Sequence, residues 1–144
     1  MYDLKLANGD IVLRGDGDVS KITGAERIQQ ELACWILEPL GTDRYYKKFG
    51  SVLGDYIGEP SFDDVLLDIR AEVSRVVGNY ITYQNQQIEA IKEMSVQNAL
   101  DAWNDDEVVD SVVGIDVSAV ADTVRVEVKL HTVKGSTIIV TTTL

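Results

Sequence analysis

The chain holds one cysteine, Cys34, and one histidine, His131, the side chains most often used as nucleophile and base near neutral pH. Nucleophilic catalysis needs such groups within hydrogen-bond reach of each other, with a third group orienting the base. Cys34 falls in an apolar segment beside Trp35, which predicts a buried structural thiol. His131 falls on the polar side of an alternating run, which predicts a solvated strand histidine. One Cys and one His cannot complete the common zinc sets. The triplet Asp16-Gly17-Asp18 starts like a calcium loop, but Lys21 and Arg27 occupy the sixth and twelfth positions, where glycine and glutamate belong. A turn is the better reading. No G-x-x-x-x-G-K occurs, and Gly15-x-Gly17 lacks a third glycine. Among twenty-four acids some pair always looks fit for glycoside hydrolysis. Asp63/Asp64 suit the first turn of a helix, and Asp105/Asp106/Glu107 suit a solvated loop. The sequence therefore predicts no catalytic residue, no metal and no cofactor.

What remains is recognition. In "PLGTDRYYKKFGSVLGDYIGEP", residues 39–60, a chain of net charge −11 gathers Arg44, Lys47 and Lys48 among Tyr45, Tyr46 and Phe49. Gly50, Gly54 and Gly58 follow at every fourth position, so a regular helix would align three bare positions for close backbone approach. Tyr45, Phe49, Leu53 and Ile57 are expected to pack inward while the lysines stay in water. The net charge argues against nucleic acid, which needs a basic footprint. Asp55 and the lysines interrupt any apolar span, so a membrane glycine motif does not apply.

The elements that position this stretch follow from periodicity. Asn8-Gly9 between "YDLKL" and "DIVLR" predicts a hairpin, and "GDG" turns the chain into "DVSKI". Thr23 and Glu26 predict a capping box for a first helix with Ala25, Ile28, Leu32 and Ile36 on its apolar face, ended by Pro39. A short helix is expected over 51–57 with Ser51 as cap. Ser61 is the expected cap of a second helix carrying Val65, Leu66, Ile69, Val73, Val76, Val77 and Tyr80. Gly78-Asn79 are expected to stop that helix, which then resumes toward Trp103. From Val108 the period becomes 2: Val113, Ile115 and Val117, then Val124, Val126, Val128 and Leu130, then "STIIVTTT" after Lys134-Gly135. The class is α+β in one domain, 1–144: an N-terminal β-hairpin or meander, two to three amphipathic helices and a C-terminal three-stranded antiparallel sheet. No apolar run reaches a membrane span and no signal peptide is evident, so a cytoplasmic setting is expected.

The stretch "ILEPLGTDRYYKKFGSVLGDYIGEP", residues 36–60, after a hairpin and an amphipathic helix, resembles the small baseplate wedge protein of contractile phage tails. That family has counterparts in type VI secretion baseplates and is sometimes labelled lysozyme-like. The matching positions are Pro39, Gly41, Arg44, Phe49, Gly50, Ser51 and Leu53. The chain departs from the Glu-Pro-Arg that many relatives carry before the final sheet, reading "AWNDDEVVD" there.

The resemblance implies a structural virion component, assembled in the host cytoplasm: a sheath initiator on the tail baseplate, with no enzymatic activity. Implied partners are other wedge proteins, the sheath protein, and the tube or tube-initiator protein. The expected dock onto wedge and tube is Arg44, Tyr45, Tyr46, Lys47, Lys48, Phe49 and Gly50. The expected strand-pairing segment for sheath is Ser136, Thr137, Ile138, Ile139, Val140, Thr141, Thr142 and Thr143, whose β-branched, uncharged run is a hazard as a bare edge. Two alternatives stand beside this: a cytoplasmic regulator of the same fold that binds one partner, and a muramidase, suggested by the family's lysozyme-like label.

Overall fold

A computed structural model describes residues 2–58, 63–93 and 103–144. Four two-residue strands form the N-terminal meander: β1 (Asp3–Leu4), β2 (Leu6–Ala7), β3 (Asp10–Ile11) and β4 (Lys21–Ile22). Asn8 and Gly9 both have positive φ, as the hairpin signal required, so β2 pairs with β3 while β1 pairs with β4. The Asp16 turn is closed by Arg14, whose guanidinium binds Asp16 at 2.7 Å and Asp18 at 3.3 Å.

Helix α1 (Gly24–Leu37) buries Ile28, Leu32, Trp35 and Ile36, while Ala25 is exposed. It ends at Glu38, which is extended because Pro39 follows. Helix α2 (Asp63–Glu93) runs unbroken through Gly78-Asn79, contrary to the expected stop. A mid-helix glycine costs about 1 kcal/mol relative to alanine. Full burial of Val76, Val77 and Tyr80 on the adjoining face outweighs that. The expected Ser61 cap and the segment 94–102 lie outside the described residues. Trp103 is not helical.

The C-terminal sheet is antiparallel in the order β5 (Val109–Val120), β6 (Thr123–Thr132), β7 (Thr137–Thr143). Val126, Val128, Leu130, Ile138 and Val140 form its buried face against both helices. Val113 does not join them. The register slips between Val112 and Gly114, and this bulge turns Val113 outward. On the open face Lys129 lies 3.4 Å from Glu127 and 3.9 Å from Asp116, relieving two carboxylates that stand directly opposite each other.

One buried polar network fastens the sheet to the helices. The expected capping box does not form, since Thr23 makes no side-chain cap bond. The Gly24 N–H instead donates to Glu107 Oε1 at 2.7 Å, a cap supplied from the lead-in to β5. Glu107, expected in solvent, has a fully buried side chain that also accepts from Asn104 N–H. Arg27 binds Glu31 at 2.6 Å, lies 3.8 Å from Glu107, and stacks 3.9 Å from the Trp103 ring centre. Tyr80 donates its hydroxyl to Glu31, and the Gln84 amide bonds Glu107 C=O and Val109 N–H, extending β5 with a helix side chain. Burial raises the Glu31 carboxyl above its ordinary range despite Arg27 and Tyr80. Burial also opposes ionisation of Glu107, but the backbone donors at Gly24 and Asn104 and the charge of Arg27 outweigh it and lower its pKa.

A lowered folded pKa means the unfolded chain binds more protons at that group. The Glu107 contribution is therefore complete above the ordinary carboxylate value of 4.5 and is lost as pH falls through its folded value. Glu107→Ala is expected to cost about 3 kcal/mol in urea unfolding at neutral pH, by stripping the α1 cap and one partner of Arg27. Glu107→Gln should flatten the acid limb of the stability profile.

Candidate docking site

Residues 39–51 form a loop whose ends are stitched together. Ser51 N–H donates to Glu38 C=O and Leu40 N–H to Ser51 C=O, at 2.8 and 2.9 Å. The Ser51 hydroxyl donates to Ile36 C=O and accepts from Leu53 N–H. Ser51 is thus a buried staple, not the cap of the helix that follows, which is a single 3₁₀ turn, Leu53–Tyr56. Gly50 has φ +96, and a Cβ there would lie 2.6 Å from Glu38 O. The close backbone approach expected of the glycines therefore occurs within the chain, at Gly50 alone. Gly54 lies in the 3₁₀ turn and Gly58 beyond it at φ +88, so the three align on no helix face. Helix α2 holds the loop end: Glu72 accepts from Val52 N–H, and Arg75 bonds both Glu72 and Gly50 C=O. Arg75 and Val52 N–H lower the Glu72 pKa against a smaller opposing effect of burial.

The dock residues divide between two faces. Tyr46 and Phe49 turn inward against Trp35, with ring centres at 5.6 and 4.9 Å, and Tyr83 of α2 lies 5.0 Å from Tyr46. Tyr45, expected inside, is 89% exposed; Ile57, also expected inside, is 73% exposed. Asp43 decides which tyrosine enters. Its Oδ1 accepts the N–H groups of Tyr46 and Tyr45, an Asx turn that sends Tyr46 inward and Tyr45 out. Those two donors hold the Asp43 carboxyl below its ordinary range. Arg44, Lys47 and Lys48 are exposed and make no ion pair among the described residues. Between the tyrosines opens a cleft of about 440 Å³, bounded by Trp35, Asp43, Tyr45, Tyr46, Phe49, Tyr83 and Gln87. Sequence reasoning named the basic and aromatic half of this site but missed Asp43, Tyr83 and Gln87. Asp43 in a loop was a possible signal for an Asx turn; Tyr83 sits one turn after Tyr80 on the α2 stripe.

The expected strand-pairing segment divides in the same way. Val124 and Leu144 exchange both backbone bonds, so Val126–Thr142, Val128–Val140 and Leu130–Ile138 are the bonded pairs of the β6–β7 ladder. Ile138, Val140 and Thr142 are buried and belong to the core. Thr137, Ile139, Thr141 and Thr143 point their backbone groups away from β6, while their side chains lie on the open face beside His131, Lys129, Glu127 and Arg125. Gln29 of α1 occupies Ile139 C=O at 2.9 Å. Ser136 lies in the β6–β7 turn, bonded to Thr132. The β5 edge, by contrast, carries two bulges with Asp110 and Asp116.

His131 is exposed on the open sheet face and Cys34 is half-buried in α1, its thiol pKa raised by burial first and by Glu38 next. Glu31 and Glu107, the carboxylates whose pKa values move apart, flank the buried Arg27. Among the described residues, no group of three His, Cys, Asp or Glu could hold a metal ion, and no helix is long and apolar enough to cross a membrane. No protein-family model, no curated protein and no solved structure matches this chain.

Gly50→Ala is expected to lower stability by about 2–3 kcal/mol, since the new methyl strikes backbone and φ stays positive. Tyr45→Ala should stay within about 0.5 kcal/mol of the parent because its ring meets mostly water. Thermal unfolding of both variants checks the pair.

Proposed function

We propose that this chain is a non-enzymatic component of a contractile-tail baseplate, a sheath initiator that docks on wedge and tube and offers β7 to an incoming sheath strand. The observation that carries the reading is the β7 edge. Thr137, Thr141 and Thr143 leave backbone groups without a partner among the described residues, along a strand with no charge, no proline and no bulge. Proteins guard such edges unless another strand is meant to complete them, and backbone bonding to an added strand then gives affinity. The resemblance over 36–60 supplies the identity of the partners. Its Gly50, Ser51 and Leu53 close and anchor the loop, while Arg44, Tyr45, Lys47 and Lys48 are the exposed remainder for a wedge or tube protein. A virion location in the baseplate follows from the same reading.

Thr141→Pro tests it. The N–H removed faces away from β6, so the internal ladder survives while strand addition is blocked at its centre. Baseplates carrying the variant are expected to assemble, and sheath polymerisation on them to drop at least tenfold. Thr141→Lys, which keeps the N–H but places a charge on the edge, should weaken it less. Sheaths of normal length and yield on both variants would overturn the proposal.

A further inference from the structure

The cleft beside Tyr45 has the composition of a cation receptor. It is lined by Trp35, Tyr46, Phe49 and Tyr83, whose rings pack edge-on or tilted against one another with centres 4.9 to 5.6 Å apart. At the mouth stands Tyr45, an aromatic ring that burial does not explain. Asp43 lines the same cleft, and its two loop hydrogen bonds both fall on Oδ1. Among the described residues no cation lies within ion-pair distance of Asp43. Of the loop's own cations, Lys47 lies with Nζ 3.5 Å from Gly41 C=O and exerts only the last of the effects on the Asp43 carboxyl, and the Arg44 guanidinium lies 5.9 Å from the Tyr45 ring centre. Burial first, then Glu31 and Asp43, raise the Tyr83 phenol pKa, with Arg27 opposing them.

We infer that this cleft receives an arginine side chain of a protein partner, its guanidinium stacked between Tyr45 and the inner aromatics and paired with Asp43. Arginine fits better than lysine because a planar, weakly hydrated cation lies flat on rings and still bonds a carboxylate. Arg44, Lys47 and Lys48 around the rim favour carboxylates on either side of that arginine, so the matching surface is an arginine flanked by acids. The inference deepens the docking role proposed above for 44–50 and rests on that part of it alone. The strand edge is not involved.

The probe is N-acetylarginine amide, titrated into the ¹⁵N-labelled full chain with amide shifts as readout. Saturable shifts confined to the amides around Asp43–Tyr46 and Tyr83 are expected, with a dissociation constant of roughly 1 mM. N-acetylcitrulline amide, the uncharged isostere, should bind at least fivefold more weakly, and the lysine analogue should fall between. Asp43→Asn retains the Oδ1 acceptor for the loop and should still weaken the arginine probe at least fivefold. Tyr45→Ala should do the same without loss of fold. Absence of saturable shifts at tens of millimolar, or equal binding of the citrulline analogue, would overturn the inference. In either case, if Tyr45→Ala or charge reversal at Lys48 still blocks assembly into baseplates, the docking role stands and only the arginine is wrong. Normal assembly of both variants would remove the docking role itself.

Discussion

The Glu107 carboxylate ties the two halves of the molecule together. It belongs to the lead-in of β5, yet it caps α1, and its backbone carbonyl is held by Gln84 of α2. A buried carboxylate without such donors would be driven to protonate, and a buried guanidinium without carboxylates would cost several kcal/mol. Arg27 pairs with Glu31 and lies 3.8 Å from Glu107, Tyr80 bonds Glu31, and these contacts orient the start of α1, although Arg27 Nε and Nη1 have no hydrogen-bond partner among the described residues. From that start, α1 carries Trp35 to its far end, where it lines the cleft beside Tyr46, and lays Gln29 against β7.

The loop over 39–51 is therefore a platform with rigid ends and a shaped outer surface. Pro39 stops α1, Gly50 passes within contact of the stop, and the Ser51 hydroxyl bridges the two. Loop closure of this kind removes the freedom that an exposed basic stretch would otherwise lose on binding. Asp43 then selects which tyrosine faces the core. The exposed cations are presented from a fixed frame, which suits recognition of a partner surface better than a mobile tail would.

Much of this was legible because it depends on local spacing. Asn8-Gly9 dictates positive φ, Pro39 dictates an end to α1, and the Val126–Val128–Leu130 alternation dictates a half-buried strand. The misreadings all concern long-range competition. Glu107 reads as one more acid in an acidic run, and only the arrival of Gly24 and Arg27 makes it a buried cap. Gly78-Asn79 reads as a stop, but neighbouring core contacts override the local cost. The Gly50, Gly54 and Gly58 spacing suggests a stripe, whereas positive φ at Gly50 and Gly58 breaks the helix that would align them. The bulge at Val113 shifts a pattern that alternation alone cannot locate. For the site, residue types marked the basic and aromatic loop, while Asp43 and Tyr83 acquire roles only through contacts.

The proposed function rests on the β7 edge, where Gln29 meets Ile139 C=O and the backbone groups of Thr137, Thr141 and Thr143 have no partner among the described residues. Its inward half, Ile138, Val140 and Thr142, is spent on the core, which holds the alternate residues at strand spacing along the edge. The most direct measurement is hydrogen–deuterium exchange of the segment 137–143 in the free protein and in sheath-bearing particles. The account predicts fast exchange at Thr137, Thr141 and Thr143 in the free chain and strong protection of the same amides in the particle. Unchanged fast exchange at those amides in sheathed particles would contradict it.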